Sequence, residues 1–192
     1  MPTTLTNNGG AVMITPFEFT SLPVARWKNG GGETREIVSI ASPDAPFLWR
    51  ASIASVQQDG PFSPFDGVDR VITLLTGSPF WLRGEERNHF LTLNTPWPFA
   101  GEWKLAAQGV SDCGFDFNIM TQRSRAASQV SVHTTTQHPA KEGIAYVLQG
   151  HWQMAASEYT TGCGIWWQNE NPGDLVPQSD DAALLLAEII RY

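Results

Sequence analysis

The sequence predicts an all-β protein in which two small barrels or jelly rolls follow one another in one chain. Short apolar runs recur between turn signals at the spacing of all-β proteins. No segment carries a convincing helical period. The run Val71-Ile72-Thr73-Leu74-Leu75-Thr76-Gly77 is echoed by Ile144-Ala145-Tyr146-Val147-Leu148-Gln149-Gly150, with leucine and glycine in register. A strand that ends in Leu-x-Gly and turns straight back opens the central hairpin of a small barrel, so two copies suit a tandem pair. Closing strands into barrels removes exposed edges and leaves an interior for a ligand.

Residues 1–12 are polar and rich in Gly, Asn and Thr, which predicts a loose lead-in before the barrels at 13–192. The first barrel is expected mostly within 13–110 and the second mostly within 111–192, with strands exchanged between them. Three glycines after Trp27-Lys28-Asn29 shape a loop whose backbone can take positive φ and approach a ligand or another strand closely. Thr34 and Glu36 then alternate with Arg35 and Ile37, as in a strand leaving that loop. A Walker phosphate loop is excluded, since it needs its lysine after the glycines at a helix start, and Lys28 precedes them. Phe47–Val56 reads as a strand with Arg50, Ser52 and Ala54 on one face and Trp49, Ala51 and Ile53 on the other. Asp59-Gly60-Pro61 and Asp66-Gly67 are turns. Arg70–Thr76 is a strand, Pro79–Arg83 its return, and Phe115–Thr121 a further strand. Asp180–Ile190 contains helix formers, yet Leu184-Leu185-Leu186 followed by Glu188-Ile189-Ile190 also fits a final strand, the preferred reading.

A chain of 192 residues, 42% of them hydrophobic, buries a sufficient core without staples. Eight tryptophans and ten phenylalanines supply flat surfaces for sheet packing and cavity walls. A net charge near −7 without any basic stripe argues against nucleic-acid partners, which are held through clustered Lys and Arg. Nothing reaches the ~20 apolar residues of a membrane helix. The N-terminal stretch lacks a basic start followed by an apolar run, so a cytoplasmic protein is expected. Cys113 and Cys163 lie in no metal or redox spacing and read as buried, inert thiols. His89, His133, His138 and His151 offer no His-x-His pattern and read as surface or turn histidines; no metal and no cofactor are expected. Neither a Gly-x-Ser-x-Gly elbow nor a cysteine beside His and acid is present.

Arg50 is the sharpest candidate for chemistry, because it sits in an otherwise apolar strand. A buried cation needs an anionic partner. Two readings stand side by side: an internal ion pair, for instance with Asp116 or Glu33, and bidentate capture of a ligand carboxylate. Asp116 and Asn118 share one face of their strand, opposite Phe115, Phe117 and Ile119, which marks either solvent exposure or a polar-lined cavity. Ser52 and Thr34 add hydroxyls to the same cavity. Glu33 and Glu36 beside Arg35 read as an acid/base group or as a solvated strand edge. Trp166-Trp167 or Trp97 is a candidate surface for a protein partner, and homodimerisation through such a patch is compatible with the sequence.

Five blocks in order resemble the HutD/Ves family of cupin-like proteins: Trp27 through Ile37, Trp49 through Val56, Gly60 through Gly67, Arg70 through Gly77, and Asp116 through Thr121. They span roughly residues 25–125; beyond Arg123 the likeness rests on the second Leu-x-Gly segment and Ala187-Glu188-Ile189. The resemblance implies a bicupin without a metal centre, from a bacterial family associated with histidine utilisation or, in the Ves branch, with cold and stress responses. It implies a pocket for a small carboxylated metabolite, such as the histidine-degradation intermediate N-formylglutamate, lined by Asn29, Thr34, Arg50, Ser52, Asp116 and Asn118. The role expected is sensing or buffering that metabolite, with an indirect regulatory effect. The alternative is an enzyme, a hydrolase or isomerase of a small acid with Asp116 or Glu33 as general base; the residues lean against it.

Overall fold

The computed structural model describes residues 5–7, 10–85 and 87–192. Among these, every regular element is a β-strand except one 3-10 turn at Phe19–Ser21, and no helix is long and apolar enough to cross a membrane. The chain divides into two compact units, Pro23–Ala127 with Arg191–Tyr192, and residues up to Leu22 with Ser128–Ile190. The divide therefore lies after residue 127 rather than near 110. Gly114–Gln122 hydrogen-bonds between Trp49–Val56 and Val68–Leu74, which holds it in the first unit. Of the expected lead-in, residues 1–4, 8 and 9 lie outside the described residues, whereas Leu5–Asn7 and Gly10–Glu18 are paired strands.

In the Pro23–Ala127 unit, six antiparallel strands form a sheet in the order Trp97–Ala100, Val68–Leu74, Gly114–Gln122, Trp49–Val56, Gly32–Ile40, Val24–Arg26. A second sheet carries Gly60–Pro61, Ala106–Gln108, Phe80–Arg83 and Asn88–Leu91. Val56, Ile72 and Leu74 from the first sheet meet Phe80, Leu82, Leu91 and Ala107 from the second, forming the core of a two-layer sandwich. Cross-strand partners share a face. Register therefore sets three rows on the inner face of the large sheet: Thr34, Ala54, Asp116, Leu74; then Glu36, Ser52, Asn118, Ile72; then Ser39, Arg50, Met120, Arg70. Read along the strands, this face changes from apolar at Val56 and Leu74 to charged at Arg50 and Arg70. The opposite face is also buried, through Trp49, Ala51, Ile53, Phe117 and Ile119.

The other unit repeats the plan. Leu5–Asn7, Gly10–Glu18, Cys163–Gln168, Gly143–Gln149, Ala183–Arg191 and Ala126–His133 form one sheet, and Ser157–Thr160, His151–Met154 and Val176–Pro177 another. Its core packs Val147, Trp152, Met154, Ile165, Trp167, Leu184 and Leu186. Ala183–Arg191 is a strand, not a helix; Leu184, Leu185, Leu186 and Ala187 are all buried, so both faces demand apolar residues and the alternation disappears. Trp166 and Trp167 are buried and offer no surface patch, and Trp97 stacks on His89 at 4.4 Å. His89 is thus a half-buried ring rather than a surface histidine. Cys113 is exposed and Cys163 half-buried; both are free thiols, which corrects the expectation of buried ones.

The internal echo is structural, but it is not a hairpin. Val68–Leu74 and Gly143–Gln149 occupy the large sheet of their units. After Gly77 and Gly150, at φ +89° and +74°, the chain crosses to the smaller sheet as Phe80–Arg83 and His151–Met154. The expected return strand thus pairs elsewhere: Phe80–Arg83 bonds Ala106–Gln108 and Asn88–Leu91. A positive-φ glycine makes this sharp corner at little cost.

Candidate functional site

The polar end of the inner face opens into a cavity of about 480 Å³ within the Pro23–Ala127 unit. All six residues expected to line a pocket, Asn29, Thr34, Arg50, Ser52, Asp116 and Asn118, line this one. The strands supply Thr34, Arg50, Ser52, Asp116 and Asn118 from the three rows described above, because residues two apart on a strand share a face. Asn29 comes from the glycine loop.

That loop is built tightly. The Trp27 N–H donates to Gly32 O at 2.9 Å and the Gly30 N–H to Trp27 O at 3.1 Å, closing a turn around Gly30 at φ +72°. The Gly31 N–H donates to Asn29 Oδ1 at 2.9 Å, so the Asn29 carboxamide oxygen serves the turn. A Cβ on Gly32 would lie 2.1 Å from Ser55 O and 3.1 Å from the Trp27 ring, which is why glycine stands there. Trp27 Nε1–H donates to Thr34 Oγ1 at 2.8 Å, fixing the indole as a wall of the cavity.

Arg50 does not pair with Asp116 or Glu33. Its Nε–H donates to Glu36 Oε1 at 2.7 Å. Regular register from Thr34 opposite Ala54 to Glu36 opposite Ser52 sets Glu36 on the inner-face row beside Arg50's, and the bulge that follows, between Glu36 and Val38, brings Ser39 rather than Val38 opposite Arg50. The pair is partly solvated, with side chains 22% and 49% exposed, so Arg50 stands at the rim rather than in the interior. Glu33 instead approaches Arg26 at 3.6 Å and does not line the cavity.

The buried guanidinium is Arg70, which the sequence reading passed over. It donates from Nη1 to Ser63 O at 3.2 Å and lies over the rings of Phe99 and Phe65, at 4.8 and 5.2 Å. Burial lowers its pKa from 12.5 to about 10, opposed by the charge of Asp116 and reinforced by that of Arg50; it remains a cation at neutral pH. The signal was available. Arg70 interrupts an apolar strand just as Arg50 does.

Asp116 and Asn118 are buried, which removes the solvent-exposed reading. Asn118 Nδ2 donates to Asp116 Oδ1, while Asp116 Oδ2 has no hydrogen-bond partner. Burial raises the Asp116 carboxyl from 3.8 to about 7, despite the opposing effects of the Asn118 hydrogen bond and the Arg70 charge. Four cationic side chains, Arg26, Lys28, Arg50 and Arg70, line the cavity against the single carboxylate of Asp116. Phe62, Phe65 and Met120 give it apolar patches. Such a site can hold a small anion with its aliphatic portion on Met120 and the rings. Among the described residues, no group of three or more His, Cys, Asp or Glu is placed to hold a metal ion.

Comparison with known proteins agrees with this architecture. The HutD family model matches residues 20–185. Protein Ves of Cronobacter sakazakii is 43% identical over 156 residues, which cover 79% of this chain and 86% of that one. Among solved structures, HutD from Pseudomonas fluorescens is similar with a TM-score of 0.80 at 24% identity, covering 93% of this chain and 99% of that one. A cupin 2 conserved barrel domain protein from Leptotrichia buccalis reaches a TM-score of 0.61 at 11% identity, covering 92% and 96%. The all-β, cupin-like fold expected from the sequence is the one observed.

Proposed function

Since this chain belongs to the HutD family, we propose that its Pro23–Ala127 unit is a metal-free receptor for a small carboxylated metabolite, sensed or buffered in the cytoplasm. One observation carries the reading. A chain of net charge −7 gathers four cations and one carboxylate around a single cavity. Arg26 and Arg50 also meet Glu33 and Glu36, yet the cavity wall itself carries more positive than negative groups, with Arg70 buried among them, and that excess favours an anion there. The cavity volume suits a metabolite of amino-acid size. An intermediate of histidine breakdown such as N-formylglutamate is a candidate, and any effect on gene expression is indirect, since an acidic chain is poorly suited to bind DNA.

The test is thermal melting of the purified protein with formate, glutamate, urocanate, N-formylglutamate and related acids, using wild type and Arg50→Gln. A ligand at about a hundred times its dissociation constant stabilises by roughly 2.7 kcal/mol, which is about 5–10 °C for a chain of this size. A selective shift that vanishes in Arg50→Gln supports the receptor; a flat panel in both proteins rejects it.

A second reading is favoured by Asp116 alone. A carboxyl titrating near 7 beside a cavity has the property required of a general base. On that reading the protein is a hydrolase or isomerase of a small acid. Turnover abolished in Asp116→Asn supports it, and absence of turnover across the same panel retires it.

A further inference from the structure

Among the described residues, Asp116 is the only acid on the cavity wall, where it stands with Arg26, Lys28, Arg50 and Arg70. It is 2% exposed, and its Oδ2 is closed off without a hydrogen-bond partner, so it acts on the cavity through its charge rather than by contact. The cation whose field it feels is Arg70, on the strand Val68–Leu74. Arg50, on Trp49–Val56, lies two rows along the same face, and its charge bears on Arg70 in turn. The rest of the surroundings add little charge. Thr34, Ala54 and Leu74 complete the row of Asp116, and Asn118 on its own strand is neutral. Lys28 and Arg26 stand on the glycine loop and the strand that enters it, and the segment from Pro61 to Phe65 contributes no charge to the wall. Glu36 and Glu33 do not line the cavity and are paired with Arg50 and Arg26.

The empty cavity thus keeps Asp116 as the internal counter-charge of Arg70. An anion that enters competes for the same cations and sets a second negative charge beside a carboxyl that water does not reach. A sphere of 480 Å³ has a radius of about 5 Å, so the charge of any occupant lies within roughly 10 Å of Asp116, where Coulomb coupling is strong at low dielectric. Two carboxylates in a poorly solvated site do not both stay ionised. We propose that the cavity takes up its anion together with one proton from solvent, which converts the Asp116 carboxylate to the neutral acid, so that affinity for the anion rises as pH falls. The proposal rests on the carboxylate-receptor reading and adds its regulation. The coupling is reciprocal: the anion strengthens the carboxyl's hold on its proton by the same factor as the proton strengthens anion binding. In the free protein this carboxyl titrates at about 7. A unit negative charge about 8 Å away, at an effective dielectric of about 20, lifts it by roughly 1.5 in pKa. Between the free and the bound value the complex holds more protons than the free protein, so binding tightens as pH falls through that window and levels off below 7.

Titration calorimetry tests this with formate and N-formylglutamate, whose carboxylates stay ionised from pH 5.5 to 8.5. Comparing HEPES with Tris, which differ in ionisation enthalpy, gives the protons exchanged per ligand bound at pH 7.5. Wild type is expected to take up roughly half a proton or more at pH 7.5 and almost none at pH 5.5, and its dissociation constant to fall roughly tenfold from pH 8.5 to 6.5. Asp116→Asn is expected to lose both the uptake and the pH dependence. The infrared difference spectrum of wild type, with and without ligand at pH 7.5, is expected to gain the C=O band of a protonated carboxyl, a readout that needs no variant. Binding to wild type without proton uptake overturns the coupling and leaves the receptor standing. Uptake that persists in folded Asp116→Asn, or arrives without the carboxyl band, also overturns it. If neither acid binds at millimolar concentration, the coupling and the carboxylate receptor fall together.

Discussion

Asp116→Asn changes one oxygen for an NH₂ and keeps the side chain's shape, so its effect on stability isolates the buried charge. The native carboxyl keeps its proton up to about pH 7, whereas the unfolded chain releases it near 3.8. Between those values the folded state binds more protons, and stability falls as pH rises. The contribution is fully present below 3.8 and lost as pH passes 7. A difference of about 3 at roughly 1.4 kcal/mol each gives an upper figure of about 4 kcal/mol. The share falling between pH 5.5 and 8 is about 2 kcal/mol. His89, whose pKa burial holds below 6.5, acts in the opposite sense, weakening the fold as pH drops. It is common to both proteins, so the difference between them removes it. The assay is urea unfolding of wild type and Asp116→Asn at pH 5.5, 6.5, 7.5 and 8.5. The variant's midpoint is expected to move above the wild type's as pH rises, by roughly 1 M in total at a slope near 2 kcal/mol per molar. Midpoints that stay parallel across this range would refute a carboxyl buried and titrating near neutrality.

Three further outcomes follow from the geometry. Gly32→Ala forces a methyl to within 2.1 Å of Ser55 O, so the loop must shift; a loss of about 1–3 kcal/mol and altered Trp27 fluorescence are expected in urea titrations followed by emission. Thr34→Val removes the acceptor of the Trp27 indole at 2.8 Å and is expected to cost about 1 kcal/mol in the same assay. Arg123→Ala breaks the bonds to Asp69 and Glu102 at 2.7 and 2.8 Å; these groups are half-exposed, so thermal melting should show a loss below about 1 kcal/mol that shrinks in 1 M salt. Arg123 also holds the Glu102 carboxyl down from 4.5 to about 2, so in wild type that stabilisation is present above 4.5 and fades as pH falls through 2.

What the sequence alone determined was local: strands, the glycine loop, and which side chains share a face. Arg50, Ser52, Asp116 and Asn118 meet at one cavity because period-two alternation is a property of the strand itself. Only the tertiary structure decided what lies opposite each of them. Arg50 and Glu36 meet because strand pairing sets Glu36 opposite Ser52, one row from Arg50, and register is set by pairing rather than composition. Arg70, identical in pattern to Arg50, is the more buried of the two because Phe65 and Phe99 close over it, one from a loop and one from the neighbouring strand. The crossing after Gly77 looks like a hairpin in sequence, since a corner between sheets and a turn within one use the same residues. The Asp116 pKa depends on desolvation, a sum over everything packed around the carboxyl, and no stretch of chain contains that sum.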